Sequence, residues 1–154
     1  MPQLTNRVLA GVDTPADSRH LVRVAARLAS LLDAELHLVH VHLTRSTVQG
    51  RPMTPAQRET QTKEGEQLLA ELARDVADVG GEVAGQHVRF AEHIERELVR
   101  VQEKLAAGLL VVGASRDGGV ARRLLGTPVS AAVRRSPGSV LVVREPAGEA
   151  DDIL

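Results

Sequence analysis

The chain has 154 residues, 43% of them apolar and 25% charged, with 19 Lys and Arg against 20 Asp and Glu, which is the composition of one soluble globular domain large enough to bury its own core. That balance leaves no basic footprint for nucleic acid or an anionic membrane, and a lone aromatic residue, Phe90, offers no platform for stacking bases. There is no Cys, hence no disulfide framework or Cys-based zinc site, and no apolar run nears the roughly 18 residues of a membrane span; a cytoplasmic protein without membrane insertion is expected.

Residues 7–12 (RVLAGV) are nearly continuously apolar and predict a strand buried on both faces. Thr14 then caps a helix, with Pro15 at its first position and Asp17 three residues after the cap. Leu21, Val24, Ala25, Leu28, Leu31 and Leu32 recur at helical spacing and are expected to face inward, with Arg19, Arg23 and Arg27 outside. A second strand spans Glu35 to His42 (ELHLVHVH), followed by a polar loop. Thr54-Pro55-Ala56-Gln57 repeats the helix-start signal and predicts a helix to about Val79. Its inward residues would be Leu68, Leu69, Leu72, Val76 and Val79, and its polar first half (57–67) would overhang the domain. Gly80-Gly81 stops it.

Residues 82–90, more polar and interrupted by Gly85, predict a third strand at a sheet edge. Ile94, Leu98, Val101 and Leu105 mark a third helix opened by Glu92 and His93, and Gly108 follows it. The apolar run Leu109 to Val112 predicts a fourth strand stopping at Gly113. A Gly-rich polar segment leads from there to Gly126-Thr127-Pro128, the start of a fourth helix running to about Arg135. Ser139 to Arg144 (SVLVVR) is the fifth strand, and the acidic tail 146–154 is expected to fray.

Strands alternating with helices predict a single α/β domain over 1–154, a Rossmann-like open parallel sheet covered on both faces. In such sheets ligands sit beyond the carboxyl ends of the strands, where the strand order reverses. Two of the three Thr-Pro helix starts, at Thr14 and Thr127, follow the first and fourth strands, so Asp13 and the 113–127 loop would face one crevice if those strands are neighbours. A helix N-terminus behind a Gly-rich loop suits a phosphate. The first turn, DTPADS, carries no dinucleotide Gly fingerprint, and Val120 and Ala121 stand where a P-loop needs Lys and Ser or Thr.

A first strand ending in Asp13, a second ending LVHV, and then VVGASRDGG, LLGTPV and VLVVR together resemble the universal stress protein family over essentially the whole chain. The resemblance implies a five-stranded parallel sheet of order 3-2-1-4-5 and a homodimer paired through the last strand (Val140, Leu141, Val142, Val143). One branch of that family binds ATP through Gly-x-x-Gly-x9-Gly-Ser/Thr; another lacks the motif and does not bind nucleotide. Position by position, Gly113, Gly126 and Thr127 match the motif, Arg116 replaces its second Gly, and Val129, beside Ser130, replaces a following hydroxyl. The implied adenine-nucleotide site (ATP, ADP or AMP, with Mg2+ as a possible companion of ATP) comprises Val12, Asp13, Thr14 and Val41 around the base and sugar. Val112, Gly113, Ala114, Ser115, Arg116, Gly126, Thr127, Pro128 and Val129 stand at its phosphate end. Arg at 116 either fills the phosphate seat or supplies a charged fork to the same phosphate.

Other polar residues read more simply as structure. His40 and His42 share a strand face as a metal pair would, without a third ligand in view, and His40 matches a core His of the family. Asp13 and Asp17 are a ligand contact and a cap rather than an acid–base pair, and Ser18, Ser115 and Ser130 show no readable His–Asp arrangement. The expectation is therefore a non-catalytic, nucleotide-responsive stress or regulatory module read by a protein partner. A nucleotide-independent dimeric interaction protein is the alternative, and a slow ATP hydrolase the third class.

Overall fold

A Thr-Pro pair opens each of the first two helices, and both caps form in the computed structural model, which describes residues 5–44, 52–114 and 138–144. The elements in chain order are β1 (Thr5–Gly11), α1 (Pro15–Leu31), β2 (Glu35–Leu43), α2 (Pro55–Asp78), β3 (Val83–Ala91), α3 (Ile94–Leu105), β4 (Ala107–Ala114) and β5 (Ser139–Arg144). The expected fourth helix and the tail lie outside the described residues. At α1, Thr14 Oγ1 accepts from the Asp17 N–H (3.3 Å) and its hydroxyl donates to Asp17 Oδ2 (2.9 Å). At α2 the capping box closes both ways: Gln57 N–H donates to Thr54 Oγ1 (3.1 Å) and Thr54 N–H to Gln57 Oε1 (2.9 Å).

All five strands are parallel, in the order β3-β2-β1-β4-β5. Chain direction across the sheet reverses between β1 and β4, and the right-handed crossover rule puts α1 and α2 on one face and α3 on the other. The core divides accordingly. Val8, Ala10, Val12, Leu36, Leu38 and Val111 pack under α1 and α2. On the opposite face Leu9, Val39, Val41, Leu110 and Val112 pack against Leu98 and Val101 of α3. Each fully buried Leu contributes about 2 kcal/mol, so these apolar rows, more than helix propensity, hold the layers together.

Helix α1 corrects one expectation. Its buried face is Ser18, Leu21, Val22, Ala25, Ala26 and Ala29, whereas Leu31 and Leu32 are 82% and 55% exposed. Small residues let the helix lie close to the sheet, and its rotation is set by that Ala stripe, not by its largest side chains. Arg19 is exposed as expected, and it also grips α2: its Nε–H reaches both carboxylate oxygens of the buried Asp75 at 3.1 Å. The polar first half of α2 is also less detached than expected. Gly65 is buried, and the Arg58 guanidinium lies 4.6 Å from the centre of the Phe90 ring on β3. Helix α3 begins at Ile94, with Glu92 before it and His93 making no side-chain cap; it ends through Ala106 in the left-handed region (φ 51°), and Gly108 already belongs to β4.

Candidate functional site

The carboxyl ends of β1 and β4 meet at the switch point. Gly11 pairs with Val39 of β2, Ala10 with Val111 of β4, and Gly113 with Val143 of β5. The chain leaves β1 through Val12, whose N–H continues the ladder to the Val39 carbonyl (2.9 Å). Two buried side chains hold the turn that follows. His40 Nδ1 lies 2.9 Å from the Val12 carbonyl, which only accepts, so this nitrogen carries the proton and donates. The Asp13 N–H donates to Ser18 Oγ at 2.7 Å. Both His40 and Ser18 are nearly inaccessible to solvent. The backbone from Val12 to Asp13 is thus pinned on both sides, leaving Asp13 and Thr14 exposed at the crevice mouth and Val12 buried beneath them.

Of the expected nucleotide residues, Val12, Asp13, Thr14, Val41, Val112, Gly113 and Ala114 lie among the described residues, at the carboxyl ends of three adjacent strands. Val41 and Val112 are buried toward the α3 face. Gly113 sits where a Cβ would stand 3.2 Å from Leu21 of α1, so a larger residue there would push α1 outward or fill the crevice. Ser115, Arg116, Gly126, Thr127, Pro128 and Val129 fall outside the described residues.

Ser18 and His40, read from sequence as structural, hold this turn through partners that the pattern did not give. A Ser one turn into a capped helix is in reach of the preceding backbone, which was a usable signal. The partner of His40 is set by register alone. Its neighbour on the same face, His42, forms an edge contact with it (centroids 4.5 Å apart) and stacks on Phe90 at 5.2 Å. Burial and then the nearby His40 hold the His42 pKa below the usual imidazole value, against smaller opposing effects of the Gln61 backbone and Glu64. Among the described residues no group of three His, Cys, Asp or Glu is arranged to hold a metal ion, and no helix is long and apolar enough to cross a membrane.

The fold defines the class: an open doubly wound α/β domain whose strand order reverses between β1 and β4, the position where sheets of this kind take their ligands. Residues 5–144 match the universal stress protein family, and the chain belongs to that family. A universal stress protein of Mycolicibacterium smegmatis is 33% identical over 142 residues, covering 88% of this chain and 47% of the relative, so the chain spans about half the length of the curated relative it matches. A universal stress protein crystallised in complex with cAMP superposes with a TM-score of 0.63 at 22% identity, covering 94% of this chain and all of its own. The universal stress protein of Archaeoglobus fulgidus in complex with dAMP gives 0.61 at 15% identity over 91% of this chain and 98% of its own. At these identities the two structures establish likeness of fold.

Proposed function

We propose that the chain is a non-catalytic module that binds an adenine nucleotide in the crevice beyond β1 and β4 and works as a cytoplasmic homodimer read by a protein partner. The observation that carries this reading is the Val12–Asp13 turn, pinned by His40 and Ser18 where β1 ends beside β4. Two neighbours of the same fold crystallised with cAMP and dAMP support it. Val12, Thr14 and Val41 would flank the base and sugar, and Asp13 would accept from a ribose hydroxyl. Gly113 and Ala114 would begin the phosphate seat that Ser115, Arg116, Gly126, Thr127, Pro128 and Val129 complete, with ATP as the fullest ligand and Mg2+ as its counter-ion. Titration calorimetry with ATP, ADP and AMP tests this. Saturable heat and a raised melting temperature are expected; no heat and no thermal shift at millimolar nucleotide refutes it.

A second reading, a nucleotide-independent interaction protein, draws on Arg116 and Val129 in the motif and on the outermost strand. On β5, Val140 and Val142 pack inward while Leu141 is 36% exposed. An outer parallel strand with such a face suits pairing with a second copy. Nucleotide copurifying with the protein separates the two readings. For the dimer itself, light scattering should give twice the chain mass, and Leu141→Lys should give a folded monomer. Phosphate release above that of a Gly126→Asp control would be needed to make the protein a hydrolase.

A further inference from the structure

At the amino-terminal ends of the strands, on the α3 face and away from the crevice, a line of polar groups crosses from β1 to β3. Arg7 donates through Nη1 to the Leu105 carbonyl at the end of α3 (2.9 Å) and through Nε to Glu35 Oε1 (2.9 Å). The same carboxylate oxygen lies 3.3 Å from His37 Nε2, and His37 Nδ1 lies 3.2 Å from His87 Nε2. The planes of the two imidazoles differ by 20° and their centroids are 5.4 Å apart. That separation is close to the N–N distance plus two ring radii of about 1.1 Å each, so the rings lie end to end and the two nitrogens face each other directly. This is hydrogen-bond geometry. It leaves no corner between the nitrogens for a shared metal ion, which would need both lone pairs aimed at one point off the line.

The partners dictate where the protons sit. Glu35 only accepts, so His37 Nε2 carries a hydrogen; the Nδ1 of neutral His37 is then an acceptor, and His87 must donate through Nε2. One further proton can be taken on the outer nitrogen of His87 without disturbing this bond. A second would place N–H against N–H at 3.2 Å. The surroundings bear on the same point. Burial, then His37, then the charge of Arg89 keep the pKa of His87 below the usual range. The bonds from Arg7 and His37 keep Glu35 ionised below its ordinary 4.5. Among the described residues, the line receives from α3 only the Leu105 carbonyl, which accepts from Arg7. A Cβ at Gly85 would collide with His37 Nδ1 and crowd His87 Nε2, so the absence of a side chain there is what lets the two nitrogens meet.

We propose that His37 and His87 form a single-proton clasp fastening the edge strand β3 to β2, one that holds at neutral pH and is released by acid, making the β3 edge a pH-responsive part of the fold. In the unfolded chain both imidazoles protonate near pH 6.5, whereas the folded pair accepts at most one proton. A His whose folded pKa is depressed contributes stability that is complete above the unfolded pKa and lost as pH falls below it. A deficit of one proton makes the folding constant fall about tenfold per pH unit in that window. The clasp is independent of the nucleotide reading.

The test is His87→Gln. Glutamine places its amide nitrogen the same number of bonds from the backbone, and its amide can turn from donor to acceptor as His37 takes up a proton. Urea unfolding between pH 7.5 and 5 should show the wild-type folding constant falling about tenfold more per pH unit below 6.5 than that of the variant. Hydrogen exchange, corrected for intrinsic rates, should show amides of residues 85–90 losing protection before those of β1 and β4 in the wild type alone. Parallel pH profiles for the two proteins overturn the proposal. Should the variant not fold, imidazole 15N titration of the wild type decides the matter: uptake of one proton at most by the pair above pH 5 supports the clasp, and two independent titrations near 6.5 refute it.

Discussion

His40 is a core residue with a duty at the surface. Its ring is buried, yet its Nδ1–H ends on the Val12 carbonyl, the last backbone group before the exposed crevice turn. Replacing it by Phe keeps the ring's bulk and removes the donor, leaving a buried carbonyl unpaired. A loss of about 1–2 kcal/mol is expected, read as a lower urea midpoint at unchanged slope. If the crevice takes nucleotide, calorimetry on the same variant should show weaker binding as well. The position of the candidate site's strand side was legible in sequence: Val12, Asp13 and Thr14 are consecutive, and a strand running into a Thr-Pro start points to the turn they form. The roles of His40 and Ser18 were not. Each depends on which backbone group is left unpaired once the strands are in register, and His40 bonds a residue 28 positions earlier in the chain. The His37–His87 contact, across 50 positions, was hidden for the same reason.

The helices show what local pattern does and does not carry. Caps are local chemistry within four residues, and both Thr14 and Thr54 cap as their sequences imply. Thr54 lies on the exposed end of α2, so Thr54→Ala removes the capping box with little else and should lower stability by about 1 kcal/mol in urea unfolding. Which face of a helix is buried is a tertiary outcome. In α1 the Leu row and the Ala row are neighbours on the helix surface, and the Ala row won because it lets the helix approach the sheet; Leu31 and Leu32 at its last turn are left in solvent. Strand limits shifted by only a residue or two, since alternation blurs where apolar runs meet Gly. β4, for example, begins at Ala107, ahead of the run that marks it.

Over the molecule as a whole, alternating strands and helices with right-handed crossovers left few sheet orders open, and the resemblance of the motifs to one family selected the order that the strands adopt. That order also has a consequence in time. β2 and β3 follow β1 directly, each joined to its predecessor by one helix, and Val8 already has Leu36 beside it. Its other partner, Leu109, arrives only after β3 and α3 have been laid down. Contacts that close long loops form late because chain entropy must be lost before they repay it. Pulse-labelled refolding should therefore find amides of β1 and β2 protected ahead of those of β4, and simultaneous protection would contradict this. The crevice at the switch point is bounded by the later of the two pairings that β1 makes, so it would take shape only after the β1–β2 half of the sheet is in place.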